Sequence, residues 1–169
     1  MLNNQPASKP AKLTIGWFTF TCCEDSTIIM TELLNTHWQK WTKAIDFKYA
    51  KILRKSPPLG PMDVAFVEGA ISSDEQAKKL KQIRANAKQL VAIGSCAVTG
   101  QPSAQRNLFS DDQKAAIKTI LERFEYADKV QKLDEVVTVD HQIPGCPMNE
   151  QKFIDLINQL ITNPPHASN

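Results

Sequence analysis

Four cysteines are the residues of this sequence best suited to chemistry: Cys22 and Cys23 side by side, then Cys96 and Cys146 far along the chain. A thiolate can form a disulfide, attack an electrophile or ligate a soft metal. Each cysteine stands in a turn-like setting: CCEDS for Cys22 and Cys23, GSC for Cys96, PGCP for Cys146. A lone cysteine in an α/β protein is more often a small buried hydrophobe than a ligand. Four that follow apolar runs, none expected inside a helix or strand, are better explained as the donors of one site. Four thiols suit either a closed zinc site or a cubane iron–sulfur cluster. Structural zinc usually draws on C-x₂₋₄-C knuckles, and no C-x₂-C pair occurs here. Adjacent cysteines serve the separated irons of a cubane more easily than a single tetrahedral ion, so an iron–sulfur cluster is the expectation.

The rest of the chain limits where such a site could operate. A formal charge of +2 over 169 residues does not mark a nucleic-acid or anionic-membrane partner. No run approaches the roughly 18 consecutive apolar residues that a membrane span needs. The opening MLNNQPASKPAK lacks the apolar core of a signal peptide and a twin arginine. Residues 1–11 are therefore expected to be a disordered arm, and the chain to be cytoplasmic. In a reducing compartment four thiols are poor candidates for structural disulfides.

The elements that must position the thiols follow from periodicity. KLTIGWFTF at 12–20 reads as a first strand, followed by a helix capped by Ser26 and running to about Lys43. FKYAKIL at 47–53 and MDVAFV at 62–67 give the second and third strands. SSDEQAKKLKQIRANA, acidic first and basic later, suits a helix. Residues 90–93 form a fourth strand ending in GSC, and 97–110 read as a long irregular loop. A helix over 111–124, a fifth strand in VVTVD at 136–140 and a last helix capped by Asn149 complete the pattern. Five strands alternating with helices predict an α/β fold, a flavodoxin-like doubly wound parallel sheet in three αβα layers. One cluster-binding domain over 12–163 is expected, with 164–169 as a tail. In such sheets ligands sit outside the carboxyl ends of the strands, near the switch in strand order. That topology would gather all four thiols at one edge. Gly94, Gly100 and Gly145 would let backbone approach bulky sulfides there.

Those same segments carry a family resemblance. VEGAI at 67–71, IGSCAVTG at 93–100 and IPGCPMNE at 143–150 resemble the N-terminal domain of [NiFe] hydrogenase small subunits. The likeness spans about residues 12–162 and points to the short, soluble type, homologous to the 20 kDa subunit of respiratory complex I. It implies one proximal [4Fe–4S] cluster in this chain, with the nickel–iron centre in a separate large subunit. The subunit would relay electrons and perform no bond chemistry itself. With no further cysteines, electrons would leave through at least one more iron–sulfur or flavin subunit. Cys96 and Cys146 match the family's third and fourth ligands, and Cys23 matches the first position of its C-x-x-C motif. The second position is Ser26, a departure from the pattern. Cys22 is the expected replacement, giving a tandem pair similar to that of the complex I subunit; a Ser26 alkoxide is the alternative. Glu68 matches a glutamate of the motif, to be read as a polar group at the subunit interface, near a proton route or hydrogen-bonded to a loop, or else as a solvated carboxylate. Arg106 would neutralise cluster charge or lie on the surface. The rival functions are a complex-I-like quinone oxidoreductase subunit, an FMN-binding flavodoxin and a zinc-stapled interaction domain. CCEDS, acidic and without glycine, makes a poor phosphate cradle and disfavours the flavodoxin.

Overall fold

The computed structural model describes residues 12–165. The expected arm at 1–11 and residues 166–169 of the expected tail lie outside the described residues. Strands β1 (Leu13–Thr19), β2 (Ile45–Ala50), β3 (Met62–Glu68), β4 (Ala87–Ile93) and β5 (His141–Ile143) form one sheet in the order β2-β1-β3-β4-β5. Every pairing between neighbouring strands is parallel. This is the flavodoxin-like order, with the switch between β1 and β3.

Alternation along the strands sends side chains to two separate cores. On one face Ile15, Trp17, Phe66 and Ile93 meet helices α1 (Asp25–Ala44) and α5 (Glu150–Thr162). On the other face Ala65, Val67, Leu90 and Ala92 meet α2 (Asp74–Asn86) and α3 (Gly94–Thr99). Central β3 is buried throughout its length, as a parallel strand covered on both faces must be. Helix α4 (Asp111–Arg123), by contrast, buries no residue and is held at its start by a Ser110–Gln113 capping box. Among the described residues no helix is long and apolar enough to cross a membrane.

Three expectations change. The fifth strand is not VVTVD. Val136, Val137 and Val139 are apolar because they pack on the second core, not because they pair in the sheet. Asp140 ends that segment by accepting from the Leu90 N–H at 2.7 Å and donating its own N–H to the Leu90 carbonyl. The stretch at 97–110 is not wholly irregular: α3 covers its first residues, and a 3₁₀ turn spans Gln105–Leu108. Cys96 accordingly lies inside a short helix rather than in a loop. In α1 the buried apolar residues are Met30, Leu34 and Trp41, while Ile28 and Trp38 remain exposed.

Candidate functional site

The carboxyl edge of the sheet is laced by backbone hydrogen bonds before any side chain is considered. The Phe20 N–H donates to the Glu68 carbonyl, and Thr21 and Ala70 exchange both of theirs. The loop after β1 is thus fastened to the loop after β3. At the far side, the Ser95 N–H donates to the Gly145 carbonyl at 2.7 Å, tying the start of α3 to the turn after β5. Gly94 and Gly145 have φ of 78° and 124°, values that favour glycine over residues with a Cβ. At Gly145 an added Cβ would come within 2.4 Å of the Pro147 carbonyl oxygen. These turns carry the thiols.

Cys22, Cys23, Cys96 and Cys146 all line one recess at this edge, together with Ser26 and Glu68. Its cavity volume is about 10 Å³, and it is partly open to solvent. That is less than the roughly 300 Å³ at which pockets for organic ligands and cofactors begin. Cys96 is buried, with 6% exposure, against Ala70, Ala104 and Val130. Cys22 packs at the margin of that group, while Cys23 and Cys146 are exposed.

Glu68 is neither a solvated carboxylate nor an open interface group: it is 3% exposed. Its Oε1 accepts from the Ser26 N–H at 3.0 Å, and its Oε2 accepts from the Thr27 N–H at 3.1 Å and the Thr27 hydroxyl at 2.7 Å. The carboxylate therefore occupies the amino end of α1, where unpaired N–H groups and the helix dipole favour negative charge. Thr27 Oγ1 in turn accepts from the Trp17 indole N–H at 2.8 Å. A buried chain thus runs from the end of β3 through α1 to the first core.

Ser26 does not cap α1. The cap position is Glu24, in a left-handed conformation with φ 64°, and Ser26 is the second helical residue. Its side chain is 2% exposed, and its Oγ accepts from the Met148 N–H at 3.3 Å. A Cβ on Gly94 would approach that same oxygen to 3.0 Å. The oxygen is therefore occupied in joining α1 to the Cys146 turn. Arg106 stands apart from the recess. Its Nη2 donates to the Ala127 carbonyl at 2.7 Å, and its guanidinium lies 5.6 Å from the Tyr126 ring centroid.

Sequence reasoning missed Ser103, which lies in the stretch read as irregular and carries no motif. Its hydroxyl is within hydrogen-bonding distance of Cys96 Sγ at 3.2 Å and the Thr21 carbonyl at 3.0 Å. Seven residues separate it from Cys96 and 82 from Thr21, so no local pattern could have signalled it.

The electrostatics of the tandem pair disfavour free thiolates. Burial pushes the Cys22 thiol up to about 12, and the nearby Glu68 carboxylate adds to the effect. Cys23 is also raised: the Asp25 backbone N–H acts to lower it, but burial and the Asp25 side chain outweigh that. Thiols so placed give up their protons readily only to a positive centre, which deprotonates a coordinating sulfur. Among the described residues no three His, Cys, Asp or Glu side chains come close enough to grip a single metal ion. Four sulfurs around one small recess are a donor set that an iron–sulfur group could use. A larger cavity of about 500 Å³ lies beside Glu24 and Thr27, lined by Trp17, Phe20 and Tyr49 among others, and includes no cysteine.

Known proteins share this chain's family and fold. Residues 22–160 match the family model described as the NADH ubiquinone oxidoreductase 20 kDa subunit. The delta subunit of the NAD-reducing hydrogenase HoxS of Cupriavidus necator is 30% identical over 118 residues, covering 60% of this chain and 56% of that protein. A subunit of the F420-non-reducing hydrogenase of Methanothermobacter thermautotrophicus is 29% identical over 133 residues, or 69% of this chain and 43% of that protein. The chain thus spans about half the length of these curated relatives. In structure, a chain of an NAD⁺-reducing [NiFe]-hydrogenase in the H₂-reduced state superposes with a TM-score of 0.78 at 22% identity. That match covers 90% of this chain and 92% of the other, and it establishes a shared fold. A [NiFeSe] hydrogenase chain from Desulfovibrio vulgaris Hildenborough superposes at a TM-score of 0.64 and 13% identity, covering 92% of this chain and 63% of that one.

Proposed function

The chain belongs to the family of the NADH ubiquinone oxidoreductase 20 kDa subunit, and on that premise we propose that it is the electron-transfer small subunit of a cytoplasmic [NiFe] hydrogenase. The observation that carries the reading is the meeting of all four cysteines, drawn from three separate βα connections, at one recess. The hydrogenase names of the relatives support it, as does the VEGAI segment at the end of β3. The partners would be a large subunit holding the nickel–iron centre and at least one further iron–sulfur or flavin subunit.

Cys22, Cys23, Cys96 and Cys146 would hold one [4Fe–4S] cluster. When bound, such a cluster supplies one-electron storage at a potential set by charge, hydrogen bonds and burial. The chain's own residues supply the rest. Glu68 holds the amino end of α1 against β3, so the tandem cysteines enter at a fixed angle. Gly94 and Gly145 bend the backbone so that Cys96 and Cys146 face the same recess. Ser26 joins α1 to the Cys146 turn. With its oxygen engaged there, Cys22 is the better fourth ligand.

The tandem Cys22–Cys23 pair and the family's defining member favour a second reading, a complex-I-like subunit that delivers electrons to a quinone. Purification of the native complex without oxygen separates the two. The expected result is about four iron and four sulfide per chain, with nickel in the co-purifying large subunit. A colourless, iron-free chain sinks both readings, and an iron-loaded complex without nickel favours the second.

A further inference from the structure

We infer that Ser103 tunes the redox potential of the site by donating its hydroxyl proton to the Cys96 sulfur. The inference rests on the reading that Cys96 ligates the cluster. Ser103 Oγ lies 3.2 Å from Cys96 Sγ, a sound distance for a bond to sulfur. A ligating sulfur carries no proton, so in that pair the hydroxyl must be the donor. The same oxygen is 3.0 Å from the Thr21 carbonyl, and one proton serves one acceptor at a time. The thiolate is the more strongly charged of the two and draws the proton to itself.

The setting makes this bond matter. Cys96 is the most buried of the four thiols, and Ala70, Ala104 and Val130 packed around it are apolar. In such low-dielectric surroundings a single dipole aimed at a charged sulfur is poorly screened. A donor to a ligand sulfur stabilises the form with the extra electron and raises the potential. A higher potential makes the site a better acceptor of electrons from the partner. Ser103 is thus a positioning and tuning residue that need never touch iron.

The test is a potentiometric titration, followed by electron paramagnetic resonance, on the anaerobically purified complex. Ser103→Ala is expected to load iron at the wild-type level and to show a lower midpoint potential. Ser103→Thr, which keeps the hydroxyl, is expected to stay near the wild-type value. Ser103→Val and Ser103→Thr form an isosteric second pair, with Val expected below Thr, should the alanine chain fail to load. Equal midpoints within these pairs overturn the tuning role. Loss of iron from both Ala and Val variants with Thr fully loaded also overturns it, in favour of a purely structural one. An iron-free wild-type chain overturns the ligand assignment itself, a result distinct from either.

Discussion

Cys22 and Cys96 lie against the protein, whereas Cys23 and Cys146 open to solvent, although all four border one recess. The inner pair is held by packing: Ala70, Ala104 and Val130 close around Cys96, and Cys22 sits at their margin. The outer pair is held by backbone turns, Cys23 ahead of the left-handed Glu24 and Cys146 beside Gly145. Packing excludes water and leaves no substitute for a missing sulfur, while an exposed position can be filled by water or an added thiol. The two halves should therefore fail differently when mutated.

The largest expected effect is loss of iron. Cys96→Ala, and equally Cys22→Ala, should reduce bound iron to background in anaerobic metal analysis, whereas Cys146→Ser should retain a measurable fraction, increased by added thiol. Equal losses at inner and outer positions would erase the distinction. Full iron in the Cys22 variant would return the fourth ligand to Ser26.

Glu68→Gln comes next. It replaces a buried carboxylate that accepts three hydrogen bonds with an amide that has one acceptor oxygen and two donors. Bonds to charged groups contribute roughly 1.5–3 kcal/mol, and a loss of that size should appear in denaturant unfolding of the apo chain. Because Glu68 supports the β1–α1 turn beneath Cys22 and Cys23, iron uptake should fall along with stability.

Ser26→Ala removes a single acceptor for the Met148 N–H. A destabilisation of about 1 kcal/mol is expected, with iron content unchanged.

Glu135 should give the smallest effect. The Lys129 side chain donates to its carboxylate at 2.9 Å and holds that group below the usual carboxylate range, with the Lys132 N–H adding to this. The turn so fastened carries Val130, part of the wall behind Cys96. A carboxylate with a depressed folded pKa contributes stability above its unfolded value, near 4.3, and loses it as pH falls through the lower folded value. Glu135→Gln should therefore remove part of the acid-side slope in a plot of stability against pH. The cost at neutral pH should be below about 1 kcal/mol, since the pair is largely solvated. A variant with an unchanged slope would mean that the wall behind the inner pair is not held by this carboxylate.

The sequence made the sheet legible because apolar strands flanked by Gly, Pro and cap residues are local signals. Asn149 was readable as a cap, and its side chain does accept from the Lys152 N–H at 2.9 Å. Ser26 was misread by the same logic. Propensity allows serine at a cap, but the decision lay with Glu68, 42 residues away, which reached the amino end of α1 first. VVTVD looked like a strand because burial against a helical layer and burial in a sheet select the same residues.

Residue order alone determined the alternation of strand and helix, the turn-like settings of Cys22, Cys23 and Cys146 and the absence of paired zinc knuckles. Only the tertiary structure decided that those thiols share one recess, which of them are shielded, and that Glu68, Ser26 and Ser103 support them. The reason is range. Propensity and capping act over a few residues, whereas the contacts that shape this site join positions 42, 82 and 122 apart. They exist only once the parallel crossovers have brought separate loops to the same edge of the sheet.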